Sequence, residues 1–138
     1  MLPERERAAI RDLLAGLERD VDLRLELGPA AQPVTVLAGG RELDFGKEAQ
    51  ELAEAVAAES ERVHLKVLET PVATGRRFPR LTIGERVRYD GLPWGYELSS
   101  LVYGIREAAR GPSLSDDSLA ALAALERDVE IEVYVTPT

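Results

Sequence analysis

Residues 17–21 read LERDV, and residues 125–129, 108 positions further on, read LERDV again. In both places apolar residues at helical spacing come before the pentapeptide and a strict alternation comes after it. Ile10, Leu13, Leu14 and Leu17 recur at i, i+3, i+4 and i+7, the stripe of an amphipathic helix. VDLRLEL, residues 21–27, then alternates apolar and charged, as a strand with one buried face does. The second copy has Leu119, Leu122 and Leu125 before it and VEIEVYV, residues 129–135, after it. Each strand runs on to a proline at the same offset, Pro29 and Pro137. Five identical letters can arise by chance, since helix ends often carry Glu and Arg. The joint match of helix, strand and proline favours a true repeat. A spacing of this size is a domain length, too long for a solenoid period. The expected organisation is therefore one full unit over residues 1–112. Residues 113–138 are a linker, a helix and a strand that open a second unit.

Between the two copies the pattern continues to alternate. PVTVLAGGREL, residues 33–43, reads as a short strand and a turn at Gly39 and Gly40. From Phe45, KEAQELAEAVAAES is helical, with Leu52, Ala53, Val56 and Ala57 on one face. RVHLKVLE, residues 62–69, alternates with Val63, Leu65 and Val67 pointing one way. FPRLTI and RVRY, separated by Gly84 and Glu85, read as a β-hairpin closed by Asp90 and Gly91. PWGYELSSLVYGIREAAR is helical, with Leu98, Leu101, Val102 and Ile105 at core spacing. Strands interleaved with helices imply an α/β fold, a mixed central sheet with helices on its faces. The terminal hairpin followed by a helix narrows this to a thioredoxin-like, three-layer order. In the linker GPSLSDDS, Ser113 and Ser115 are candidate N-caps, and Asp116 and Asp117 suit the positive end of a helix dipole.

Composition excludes several kinds of function. At 138 residues and 45% apolar, the chain is long enough to bury a core without disulfide or metal staples. A formal net charge of −8 argues against tracking a phosphate backbone. No run of about 20 apolar residues is present, and the N-terminus is charged at once, so a cytoplasmic location is expected. Lysine is scarce beside arginine, as in a GC-rich genome such as a thermophile's, which says little about function. Above all, cysteine is absent. The chain can supply no disulfide, no thiolate nucleophile and no cysteine-ligated metal.

Few residues are candidates for chemistry. His64 is the only histidine. Its neighbours in the alternation, Arg62 and Lys66, disfavour a metal, so a surface-facing structural role is expected. Gly39 and Gly40 belong to no phosphate-loop pattern. Ser99, Ser100 and His64 have no triad context. Glu97 stands in the first turn of its helix, where a carboxylate meets the dipole. Tyr89, Trp94 and Tyr96 cluster around YDGLPWGYE, either as a docking patch or as packing between hairpin and helix. No catalytic residue, metal or cofactor is expected.

Three stretches resemble a known family. RRFPRLTI, residues 76–83, looks like the proline segment that opens the terminal hairpin of tandem thioredoxin-fold proteins. VRYDGLPWGYELSSLV, residues 87–102, looks like their Gly-x-Pro-x-Gly-aromatic/His-Glu turn into the last helix. VEIEVYVTPT looks like the strand that runs into the second unit's Cys-x-x-Cys. The family comprises the N-terminal domain of the alkyl hydroperoxide reductase flavoprotein and the glutaredoxin-like protein disulfide oxidoreductases of thermophiles. The resemblance implies that Phe78-Pro79 is a cis bond beside a groove for an extended substrate or partner. It places Ala31, Gln32, Pro33 and Val34 where a redox tetrad would sit. About a dozen extra residues separate Pro33 from the next helix, a departure from the family that makes this placement approximate. By the same resemblance, the position after Thr138 would be the first active cysteine.

The function so implied is a redox-inactive first unit. It would serve thiol–disulfide exchange and redox homeostasis by positioning a second unit and binding a protein partner. That partner would be a thiol or disulfide protein, or the second unit itself. The alternative is a stand-alone scaffold without catalysis that binds a partner or self-associates, including a homodimer through the strand at residues 130–135. The apolar residues of that strand are expected to pack against the first unit.

Overall fold

The structure, a computed structural model, describes residues 2–29, 35–36, 40, 42–70 and 77–135. Helix α1 (Glu4–Leu14) starts behind Pro3, whose fixed φ suits a helix entrance, and carries Glu4 and Glu6 at its positive end. Ile10 and Leu14 are its buried residues. The expected stripe ran one turn further. The helix instead stops at Leu14, Gly16 takes φ +73°, and Leu17 reaches the core from the turn beyond. Strand β1 (Val21–Leu27) follows, with Val21, Leu23 and Leu25 buried. Strands β2 (Thr35–Val36) and β3 (Glu42–Leu43) form a small antiparallel ribbon.

Helix α2 (Phe45–Ala57) begins where Asp44 accepts a hydrogen bond from the backbone N–H of Lys47 at 3.1 Å, an N-cap. Its buried stripe is Ala49, Leu52, Ala53 and Val56. Strand β4 (Val63–Glu69) returns parallel to β1, with Val63 opposite Val21 and Val67 opposite Leu25. Strands β5 (Arg80–Ile83) and β6 (Val87–Asp90) form the expected hairpin, and β5 runs antiparallel to β1. The strand order is β4-β1-β5-β6, a mixed sheet. Helix α3 (Tyr96–Arg110) buries Leu101, Val102, Ile105 and Ala109. Each fully buried Leu or Ile of such a core contributes about 1.5–3 kcal/mol.

The buried residues of α1, α2 and α3 form one cluster with Val21, Leu23, Leu25, Leu81 and Ile83. Side chains alternate across a sheet, so these strand residues share a face. The other face carries the exposed Asp22, Arg24, His64, Lys66, Arg88 and Asp90 beside the buried Glu26 and Thr82. The mixed sheet and its helices are as expected.

The C-terminal segment departs further from expectation. Helix α4 (Asp116–Ala123) forms, with Ser115 accepting from the backbone N–H of Ser118 at 3.2 Å, but buries no residue. The strand expected at residues 130–135 pairs with nothing among the described residues. Val129, Ile131, Val133 and Val135 are 62%, 83%, 79% and 61% exposed, so they do not pack against the first unit. The contacts of this tail are polar. Asp128 approaches Arg86, Glu130 pairs with Arg88, and Arg77 stands 5.9 Å from the ring centre of Tyr134. An alternating sequence makes a strand only when a ladder partner is present.

Candidate functional site

The proline segment sits where β5 enters the sheet. The Phe78-Pro79 peptide bond is cis, as the motif implied. Pro79 is buried and Phe78 half-buried, while Arg77 is exposed. The Pro79 carbonyl accepts from the N–H of Gly91 at 2.8 Å, which ties the segment to the end of the hairpin. One residue on, Arg80 donates twice to Asp90, from Nε to Oδ1 at 2.6 Å and from a terminal nitrogen to Oδ2 at 2.9 Å. That fork raises the Arg80 pKa above its ordinary value, with Asp90 the main cause and Glu26 a smaller one. Ala31, Gln32, Pro33 and Val34, expected opposite Phe78-Pro79, lie outside the described residues.

The three aromatic residues do not form one patch. Tyr89 is half-buried against the core, and its hydroxyl lies 2.9 Å from Ser100 Oγ, so it packs β6 onto α3. Tyr96 is 84% exposed at the start of α3. Trp94 is 37% exposed and lines a groove among the three helices. Tyr89 thus packs between hairpin and helix, while Trp94 and Tyr96 are exposed. Tyr89 faces inward because it lies opposite the buried Leu81 in the β5–β6 register.

His64 is exposed on β4, as its alternation implied, and its Nε2 lies 3.2 Å from Asp20 Oδ2. Asp20 also receives Arg62 at 3.0 Å. The hydrogen bond from His64 is the main cause that holds the Asp20 pKa below its ordinary value, with Arg62 adding to it. The sequence reading weighed only the basic neighbours of His64, because Asp20 belongs to the end of a turn 44 positions away and reaches it through the β1–β4 pairing. Among the described residues no group of three His, Asp or Glu side chains is placed to hold a metal ion. No described helix is long and apolar enough to cross a membrane.

Sequence comparison finds no match among protein families or curated proteins. Comparison of the structure with solved structures does find matches. A protein disulfide oxidoreductase from Aeropyrum pernix superposes with a TM-score of 0.74 at 21% identity, over 91% of this chain and 56% of that one. The alkylhydroperoxide reductase AhpF of Enterococcus faecalis, as its C503A mutant, gives a TM-score of 0.70 at 19% identity, over 90% of this chain and 61% of that one. The NTD_N/C domain of the same reductase gives 0.71 at 18% identity, over 92% of this chain and 62% of that one. This chain spans about three fifths of the length of each. Both kinds of protein named by the sequence motifs are thus among its structural neighbours. Similarity at these identities speaks to architecture, and on that architecture the chain has a thioredoxin-like fold.

Proposed function

We propose that this chain is the redox-inactive first unit of a two-unit thioredoxin-fold protein of the cytoplasm. The second unit performs thiol–disulfide exchange in redox homeostasis, and the first positions it and helps to hold the protein partner. One observation carries this reading: the uncovered helix and extended segment at residues 113–135. In the first copy of the repeat, Val21, Leu23 and Leu25 lie beneath the helices at 1–3% exposure. Their counterparts Val129, Ile131 and Val133 have the same spacing and are open to solvent. A second unit folded onto that stripe would bury it as the first unit buries β1.

Exchange begins when a thiolate attacks one sulfur of a disulfide, forming a mixed disulfide and releasing the other sulfur as thiolate. A second thiolate then attacks the mixed disulfide, so two electrons pass to the partner and the attacking pair is oxidised. This chain holds no cysteine, so both thiolates belong to the second unit. What the first unit supplies is shape. The half-buried Phe78 and buried Pro79 offer one side of a groove that receives an extended segment of the thiol or disulfide protein.

Two measurements test this. The purified chain reduces a protein disulfide with dithiothreitol no faster than dithiothreitol alone, and acceleration would refute the reading. The second measurement is the coding sequence around Thr138, where this reading expects a Cys-x-x-Cys at the end of the segment. A continuation without a cysteine pair counts against it.

The same exposed stripe favours a second reading, a scaffold that pairs with another copy through residues 130–135. Sedimentation then gives a dimer that Val133→Glu dissociates. A monomer at all concentrations excludes this reading.

A further inference from the structure

A groove of about 510 Å³ runs among α1, α2 and α3, and neither Phe78 nor Pro79 lines it. Its volume lies within the roughly 300–1,000 Å³ usual for binding clefts. Ile10, Leu52 and Val102 are buried in its floor, and Leu13 and Leu98 are half-buried beside them. Trp94 stands at the rim. The charged residues lining it are Glu6 on α1 and Glu48 and Glu51 on α2, and none is basic. Glu6 and Glu51 are exposed and Glu48 is half-buried. None of the three has an ion-pair partner among the described residues.

We propose that this groove docks a basic amphipathic helix of a partner protein. Three observations define that occupant. The apolar floor between helical walls takes one face of a helix at i, i+3, i+4 and i+7 spacing. The walls are helices and no strand residue lines the groove, so no sheet edge is offered to an extended peptide. The groove is lined by three carboxylates from two helices, which selects lysine and arginine flanking the apolar face. The N-termini of α1, α2 and α3 contribute about half a positive charge each. That offsets only part of three full negative charges, so the groove stays net negative.

Trp94 is the only tryptophan, so it reports on its own groove. The probe is a Leu/Lys peptide of about five helical turns with its leucines on one face. It is expected to shift Trp94 emission saturably, whereas a scrambled Leu/Lys peptide and a Leu/Glu peptide with the same apolar face do not. Two variants separate charge from shape. Glu6→Gln with Glu51→Lys weakens binding at least about tenfold. Ala9→Phe, at an exposed wall position, fills the groove and weakens binding without touching a charge. Glu85→Lys with Glu126→Gln makes the same change in net charge far from the groove in sequence and leaves affinity within about twofold. Far-ultraviolet circular dichroism confirms that each variant is folded.

The proposal is overturned if the Leu/Lys peptide leaves Trp94 emission unchanged. It is overturned equally if the scrambled peptide binds as well, or if the two charge variants weaken binding alike. A concentration-dependent emission shift in the protein alone would assign the groove to a second copy and also overturn it. None of these outcomes depends on the thiol–disulfide reading.

Discussion

Arg7 Nε donates to Glu59 Oε1 at 2.7 Å, joining α1 to the turn after α2 across 52 positions of sequence. Arg11, one helical turn on, approaches the other oxygen of the same carboxylate at 2.7 Å. The Glu59 side chain is 1% exposed, and both of its oxygens are engaged. A carboxylate so enclosed is tolerable only because two guanidinium groups compensate it. The hydrogen bond from Arg7 is the main cause that holds the Glu59 pKa below its ordinary 4.5, and Arg11 adds to it.

This clamp predicts a pH dependence. A carboxyl whose folded pKa is lowered stabilises the fold above the unfolded value and loses that contribution as pH falls through the folded value. Thermal stability is therefore expected to fall as pH drops below about 4.5. Glu59→Gln lowers stability at neutral pH and flattens that part of the profile. Melting curves across an acid series check both. An unchanged slope in the variant would assign the acid sensitivity elsewhere.

Gly104 faces Ile83. A Cβ at position 104 would lie 2.9 Å from Ile83 Cδ1 and 3.6 Å from the Tyr89 hydroxyl. Ile83 is 2% exposed, so its side chain has little room to withdraw. Gly104→Val is expected to destabilise by about 1–3 kcal/mol through overpacking. Adding Ile83→Ala recovers part of that loss, a coupling that a denaturation double-mutant cycle measures.

Tyr89 connects hairpin and helix by one hydrogen bond and by its ring. Tyr89→Phe removes only the contact to Ser100 and is expected to cost about 0.5–1 kcal/mol, since the pair is not buried. Tyr89→Ala also empties part of the core and costs about 3 kcal/mol. Equal losses in urea denaturation would show that the ring packing contributes little.

Removing residues 113–138 tests the tail directly. The described residues of this segment are exposed, apart from its polar contacts to Arg77, Arg86 and Arg88. Exposed pairs of this kind contribute at most about 1 kcal/mol each. The truncated chain is expected to melt within a few degrees of the full one and to aggregate less. A drop of tens of degrees would mean that the segment packs against the first unit after all.

Most of the order of elements was legible in the sequence. The alternation of VDLRLEL, the stripe of α2 and the Gly84 turn are local properties, fixed by which face of a strand or helix each residue occupies. Asp44 and Ser115 cap their helices for the same reason, because a cap needs only the backbone two or three residues on. The cis bond at Pro79 followed from a motif rather than from composition.

What the sequence by itself determined was thus the succession of helices and strands and the absence of thiol chemistry. Tertiary structure decided which of those patterns found partners. VDLRLEL and VEIEVYV alternate alike, yet one became β1 between β4 and β5, while the other lies open beside Arg86 and Arg88. It also decided that Tyr89 turns inward while Trp94 stands over a groove, and that Glu59 is enclosed between two arginines of α1. The physical reason is common to all three. Periodicity specifies a face, but burial and pairing belong to two surfaces at once, and the second surface comes from a distant part of the chain.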